Sequence, residues 1–349
     1  MLKLLRSLIP SSTRRGDAST VIAQVLEPPT EVAADGVTSF SVSSHLSSDS
    51  GFPILDWQAA QAWVETIPDV HTRARAWGHL ERAWLEHMRF ALGSAYGLGE
   101  TEDSLLLSTL EPNVASATLG FMSKTLQRVV RVLDGIAQVS GWGKDILVVF
   151  DDDETYYRYV SHCYPSDGEF AASGGMYINA GCGHFATVKS DLRAIEPVIA
   201  HEMTHGCVSH LPIPAWLNEG LAVNTEQRLS PAAPPMLTPQ QMHAKHRAFW
   251  KDAEIQEFWS GKSFLRADDG NMLSYDLARI LVSQLSADWQ SFRSFVLSAN
   301  LIDAGATAAA EHLHLDLGAA ASAILERESA SNWAPNPTAW HEAPEHGAF

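Results

Sequence analysis

Residues 197–208 read Pro197-Val198-Ile199-Ala200-His201-Glu202-Met203-Thr204-His205-Gly206-Cys207-Val208. A proline in the first turn of a helix sacrifices no hydrogen bond, because its missing N–H has no intrahelical acceptor there, so Pro197 predicts a helix starting near Glu196. At about 100° per residue, Met203 and Cys207 fall within about 80° of Ile199, whereas His201 and His205 lie about 200° and 240° away. One face is therefore apolar, and the other carries two imidazoles one turn apart. Imidazoles so placed present neutral nitrogens to a single zinc ion, with Glu202 further round the helix and in reach of a water on that ion.

With 15 His in 349 residues, an H-E-x-x-H pentapeptide arises by chance in roughly 4 % of such chains, so the assignment needs a third ligand. Pro212 and Pro214 open a second helical segment, Ala215-Trp216-Leu217-Asn218-Glu219-Gly220-Leu221-Ala222. Leu217 and Leu221 share its buried side, and Glu219 lies about 200° from Leu217 on the opposite face. A carboxylate there completes a two-His, one-Glu site and leaves the fourth position to water. His210 is about 140° off the direction of His205, and a metzincin pattern needs His at 211, where Leu211 stands. Glu226, on the same face as Glu219, is the rival carboxylate and equally a candidate to orient His201 or His205. Cys207 points with the apolar stripe and reads as a small buried side chain.

The His201–His205 motif followed after a short loop by Trp216-Leu217-Asn218-Glu219-Gly220-Leu221-Ala222 resembles the gluzincin zinc metallopeptidases, specifically their bacterial peptidase-MA-like branch. The resemblance covers about residues 145–328. It implies one zinc ion held by His201, His205 and Glu219, with Glu202 as general base. It also implies a zincin-like catalytic domain with a small mixed sheet ahead of the metal-binding helix and a helical C-terminal subdomain. In that family the edge strand of the sheet lines the cleft, and Gly174-Gly175-Met176-Tyr177-Ile178-Asn179 occupies the matching place. Gly175, Met176 and Tyr177 are thus the candidate substrate-binding residues, pairing with an extended peptide. Tyr275, within Asn271-Met272-Leu273-Ser274-Tyr275-Asp276-Leu277-Ala278-Arg279, resembles the tyrosine whose hydroxyl donates to the oxyanion. One departure stands out. Thermolysin-like members carry Asp one turn after the Glu ligand, whereas this chain has Val223, which leaves Asn224 and Glu226 as candidates to fix the tautomer of the first histidine.

The expected activity is peptide-bond hydrolysis by a metal-activated water, on a peptide or protein substrate. The same residues also suit a zinc-binding module for protein interaction or assembly, or an amidase acting on a non-protein substrate. The complete set of Glu202 and both histidines favours the hydrolase, since a structural zinc has no use for a general base.

Away from the motif, apolar residues recur at three and four from Asp56 to about Ser140, including Trp57, Trp63, Trp77 and Trp84, which predicts helices with a core-facing stripe. Ile146–Phe150 reads as a strand, as do Gly175–Asn179 and His184–Val188. The acidic run Asp151–Glu154 suits the N-terminus of a helix over Tyr156–Val160 better than a calcium loop. No ligand spacing links His162, Cys163, Cys182 and His184. The fold class expected is α+β and mostly helical. Residues 1–52 are expected as a disordered leader, 53–140 as a helical N-terminal region, 141–330 as the catalytic domain and 331–349 as a flexible tail.

Composition bounds the partners. With 24 Lys+Arg against 41 Asp+Glu, the formal net charge is -17. That charge repels phosphate backbones and anionic bilayers, so neither nucleic acid nor membrane is an expected partner. Three cysteines make no disulfide framework. Arg6 and Pro10 interrupt the apolar start before it reaches the length of a signal core, so a cytoplasmic location is expected. Oligomeric state leaves no mark on the sequence.

Overall fold

The computed structural model describes residues 27–48, 51–139, 143–163, 175–190, 192–230, 237–327 and 333–340. Two short antiparallel ladders come first: β1 (Glu31–Val32) pairs with β2 (Phe40–Ser41), and β3 (Leu46–Ser47) with β4 (Ile54–Leu55). Helices α1 (Trp57–Glu65) and α2 (Val70–Leu92) follow. Each is opened by an aspartate, Asp56 or Asp69, whose carboxylate accepts a first-turn N–H. Next in order are β5 (Gly97–Glu100), β6 (Ser104–Ser108), α3 (Pro112–Val132), β7 (Asp145–Phe150), α4 (Asp153–Cys163), β8 (Gly175–Asn179) and β9 (Gly183–Val188). The described chain then continues as α5 (Leu192–Val208), α6 (Ala215–Leu229), α7 (Pro239–Phe249), α8 (Asp252–Ser260), α9 (Asp269–Leu285), α10 (Trp289–Ser298), α11 (Ala306–His312) and α12 (Leu317–Ile324). The class is mixed α+β and mostly helical, as the patterning predicts.

One sheet organises the molecule, with strand order β5-β6-β7-β9-β8. Strands β6, β7 and β9 are parallel, while β5 and β8 run antiparallel to their neighbours at the two edges. Successive side chains alternate between faces. Leu106, Leu147, Val149 and Phe185 therefore enter a core shared with α3, α5, α6 and the C-terminal helices. Leu105, Leu107, Ile146, Val148 and Phe150 enter a second core under α1, α2 and α4. Both faces of β7 are covered, which is why its sequence shows an apolar run without alternation. Trp57 and Trp84 are buried, Trp77 packs on Trp57 and Trp63 on Phe40, both half-buried against the same core.

Several expectations need correction. Residues 27–48 are not part of a disordered leader: Val32, Phe40 and Val42, with Phe52 just beyond, are buried beside α1 and α2. These apolar residues stand singly among polar ones, so they carry no local period and are ordered by distant partners. Residues 1–26 lie outside the described residues. The 53–140 stretch holds α1, α2 and α3 but also β5 and β6, and because β6 pairs with β7 the sheet runs across position 140. Residues 333–340 are docked rather than loose. Trp333 is buried, its carbonyl accepts from the Trp259 indole at 2.8 Å, and Gln256 donates to the Ala334 carbonyl at 2.8 Å. The rest of the tail lies outside the described residues. Helix α5 begins at Leu192 rather than near Glu196, so Pro197 falls inside the helix and removes one ladder bond there. The acidic run behaves as expected, since Asp152 accepts the Thr155 N–H at 2.8 Å at the start of α4. No helix among the described residues is long and apolar enough to cross a membrane.

Candidate metal centre

Ile195, Ile199, Met203 and Cys207 form the buried stripe of α5, which docks the helix beneath the sheet and aims the opposite face at α6. On α6, Leu217 and Leu221 are buried, and the Trp216 indole donates to the Ala304 carbonyl at 3.0 Å, fixing the rotation of the helix. Gly220 lets α6 approach α9. A Cβ there would meet the Ala278 carbonyl oxygen at 2.7 Å and Val282 Cγ2 at 2.5 Å, so only glycine fits. With the helices so seated, His201, His205 and Glu219 offer ligand atoms that all lie within 4.8 Å of one another. Among the described residues no other group of His, Cys, Asp and Glu does so.

The Glu219 Oε2 atom is 3.2 Å from His201 Nε2 and 3.4 Å from His205 Nε2, and the two rings stand 4.9 Å apart at 76°. The far nitrogens are already engaged. His201 Nδ1 lies 3.1 Å from Glu226 Oε2, and His205 Nδ1 lies 2.9 Å from Asn218 Oδ1. Both partners are acceptors, so each Nδ1 donates its N–H and each Nε2 is left with a lone pair. Two imidazole lone pairs and a carboxylate then face one another, an arrangement stable only around positive charge. Tetrahedral zinc with bonds of about 2.0–2.2 Å sets its ligands about 3.3–3.6 Å apart, close to the two carboxylate–imidazole distances of 3.2 and 3.4 Å. The donor set therefore fits a zinc ion.

Without a metal ion, the same contacts favour a proton on each ring instead. Burial disfavours charge on His201, yet hydrogen bonds to Glu219 and Glu226 carry its pKa well above the usual imidazole value. Burial likewise opposes charge on His205, and Glu219 overrides it, raising that pKa too. Burial would raise Glu219, but the attraction of His205 and the bond from His201 hold its carboxyl far below the normal range. Protons thus supply the positive charge that the donor set demands when no metal ion does.

Glu202 is 7 % exposed, and burial raises its pKa against the pull of His201 and His205. Its carboxylate accepts the backbone N–H of Tyr177, so β8, the last strand of the sheet, holds the candidate base in place. Tyr275 stands with its ring 6.3 Å from that of His201, and burial with the negative charges of Glu219 and Glu202 keeps its hydroxyl protonated. The structure thus gathers His201, Glu202, His205, Glu219 and Tyr275, with Gly175 and Tyr177 of β8 beside α5, whereas the Met176 side chain packs on the other face of the sheet, against the second core. His210 is exposed and Cys207 is buried, its thiol pushed up to about 12 by burial. His184, buried between the Tyr159 hydroxyl at 2.7 Å and the Cys182 carbonyl at 2.8 Å, is lowered to about 4 by burial and stays a neutral core group.

Of the two candidates behind His201, Glu226 takes the role. Asn224 instead donates to the carbonyls of Gly220 and Arg279, tying α6 to α9. Sequence reasoning missed Asn218 and the Tyr177 N–H. The first carried a signal, a short side-chain acceptor next to a ligand on the same helix; the second is a backbone group and left none. No protein-family model and no curated protein matches the sequence.

Proposed function

We propose that this chain is a zinc-dependent peptidase of the gluzincin kind, with a zincin-like arrangement of sheet and helices. The observation that carries the reading is the convergence of His201 Nε2, His205 Nε2 and Glu219 Oε2, each histidine held from behind by a separate acceptor. Bound by these three groups, zinc would supply Lewis acidity toward a carbonyl and lower the pKa of water.

The residues of the chain do the rest. Glu202, buried and anchored by Tyr177, accepts a proton from the attacking water and returns it to the leaving amine. The Tyr275 hydroxyl donates to the oxyanion that develops on the substrate carbonyl. A peptide backbone, rather than a compact amide, suits the site because β8 is an edge strand of the sheet. Among the described residues β8 pairs with β9 alone, and an extended substrate would add to its other edge beside Glu202.

The test compares the zinc-loaded chain with Glu202→Gln on a peptide library, with metal content measured on both. The variant is expected to keep its zinc and to lose turnover by at least about 100-fold. Wild-type cleavage should stop on chelation and return with zinc. Turnover surviving in the zinc-loaded variant would remove Glu202 from the base role, and zinc without cleavage of any peptide would turn the reading to a binding module.

A further inference from the structure

Helix α3 carries no acid among its 21 residues, although Asp and Glu make up 41 of the 349 residues of the chain. Its buried stripe, with Met122, Leu126 and Val129, lies in the core shared with α5 and α6. At about 100° per residue, Lys124, Arg128 and Arg131 fall between about 180° and 240° from Met122, on the opposite face. All three are exposed. Among the described residues none of their side chains has a hydrogen-bond or ion-pair partner, Asp134 just past the helix included. On α2 and α9 the arrangement is different: Arg82 and Arg89 flank Glu86 at 3.7 and 2.8 Å, and Arg279 reaches Asp276 at 2.7 Å. On α3 the neighbours at three and four are cations instead, and such like-charge pairs weaken a helix. Helix α10 brings a fourth cation to the end of α3. The Trp289 indole donates to the Asp134 carbonyl at 3.2 Å, and the Arg293 side chain lies over Gly135, where a Cβ would meet its Cδ at 2.6 Å and its Nη1 at 2.8 Å.

We propose that the basic face of α3 docks an acidic helical segment of a partner protein, with Asp or Glu recurring at three and four. Carboxylates at that spacing repeat the rises between Lys124, Arg128 and Arg131, about 6 and 4.5 Å, so one comes opposite each cation. Their charge also relieves the repulsion among the three cations. The charge balance selects a short acidic segment over a nucleic acid. Duplex DNA carries a charge every ~1.7 Å along its whole length. It would therefore run past a stripe of about 10 Å onto a chain whose net charge is -17. A segment confined to the stripe lies against its cations, and acids more than about a Debye length away, ~8 Å at physiological ionic strength, are screened from it. The surface belongs to the face of α3 turned away from the core it shares with α5, so the inference does not depend on the reading of the metal centre.

The experiment titrates the full chain into two labelled helical peptides of the same composition, one with its Glu residues on a single face at three and four, the other with them spread round the helix. Fluorescence anisotropy is read at low and at physiological ionic strength. The single-face peptide is expected to bind at least about tenfold more tightly than the spread one, and more weakly as salt rises. The combined variant Lys124→Glu, Arg128→Glu and Arg131→Glu should lose at least about tenfold in affinity for it and keep the melting temperature of the wild type. That variant should in turn bind the single-face peptide made with Lys in place of Glu, a gain that damage to the fold does not produce. Equal binding by wild type and variant, or no binding of the single-face peptide, overturns the proposal. Tighter binding of a short DNA duplex than of that peptide overturns it in favour of nucleic acid. Dimerisation of the wild type that the variant loses overturns it in favour of a second copy of the chain.

Discussion

Glu226 Oε2 lies 3.1 Å from His201 Nδ1, on the opposite side of that ring from Glu219, so one imidazole is held between two carboxylates. His205 has a neutral partner in the same place, Asn218 at 2.9 Å. The two histidines are thereby unequal. A carboxylate behind a ligating imidazole fixes its tautomer and makes the outer nitrogen a stronger donor than an amide does.

Glu226→Gln should therefore weaken zinc binding by about 10–100-fold while leaving the fold intact, because the side chain is a third exposed and sits in no core. Competition against a chelator of known affinity reads the change directly. Asn218→Ala should weaken binding as well, through the other ring. Unaltered zinc affinity in Glu226→Gln would show that the 3.1 Å contact does not orient His201.

Gly220→Ala tests how the centre is assembled. Alanine is the better helix former by about 1 kcal/mol, which alone would stabilise α6. Its methyl group would meet the Ala278 carbonyl oxygen at 2.7 Å, and backbone cannot swing aside as a flexible side chain can. Overpacking of this kind costs about 1–3 kcal/mol and wins. The melting temperature should fall and zinc affinity with it, since α6 carries Glu219, Asn218 and Glu226. A more stable protein would mean that α6 and α9 are not held as close as described.

The parts of this site that could be read in the sequence are those governed by local periodicity. His201 and His205 lie opposite Ile199, Met203 and Cys207, and Glu219 lies opposite Leu217 and Leu221, so two helical faces and three candidate ligands follow from about 100° per residue. Long-range pairing leaves no such mark. Leu105, Leu106 and Leu107 sit in a short apolar run that suits a helix or a buried strand alike, and only pairing with Ile146 and Leu147 makes it β6. Val32, Phe40 and Val42 were similarly hidden among polar neighbours, and Trp333 among prolines, because each is ordered by residues far away in the chain. The resemblance puts Tyr177 on an edge strand, as in the sheet, but that its N–H reaches Glu202 depends on how α5 crosses β8.

A second buried acid makes stability depend on pH, away from the metal centre. Glu81 on α2 is buried at 3 % exposure, accepts the Lys144 backbone N–H at 2.9 Å, and is raised from 4.5 to about 8 by burial. Below pH 4.5 the group is protonated in folded and unfolded chains alike and has no effect. Between 4.5 and about 8 the unfolded chain gives up the proton while the folded chain keeps it, so stability falls as pH rises, by at most about 1.4 kcal/mol per unit. Above about 8 the loss is complete. Glu81→Gln keeps an acceptor for the Lys144 N–H and cannot ionise, so it should be free of this dependence. Melting temperatures of both proteins, each metal-free and measured from pH 5 to 9, should therefore diverge in favour of the glutamine form as pH rises. Asp145, raised to about 7 by burial, is present in both proteins, and its negative charge adds to the rise of Glu81. A gap between the two curves that stays constant over that range would mean that Glu81 ionises as freely in the folded chain as in the unfolded one.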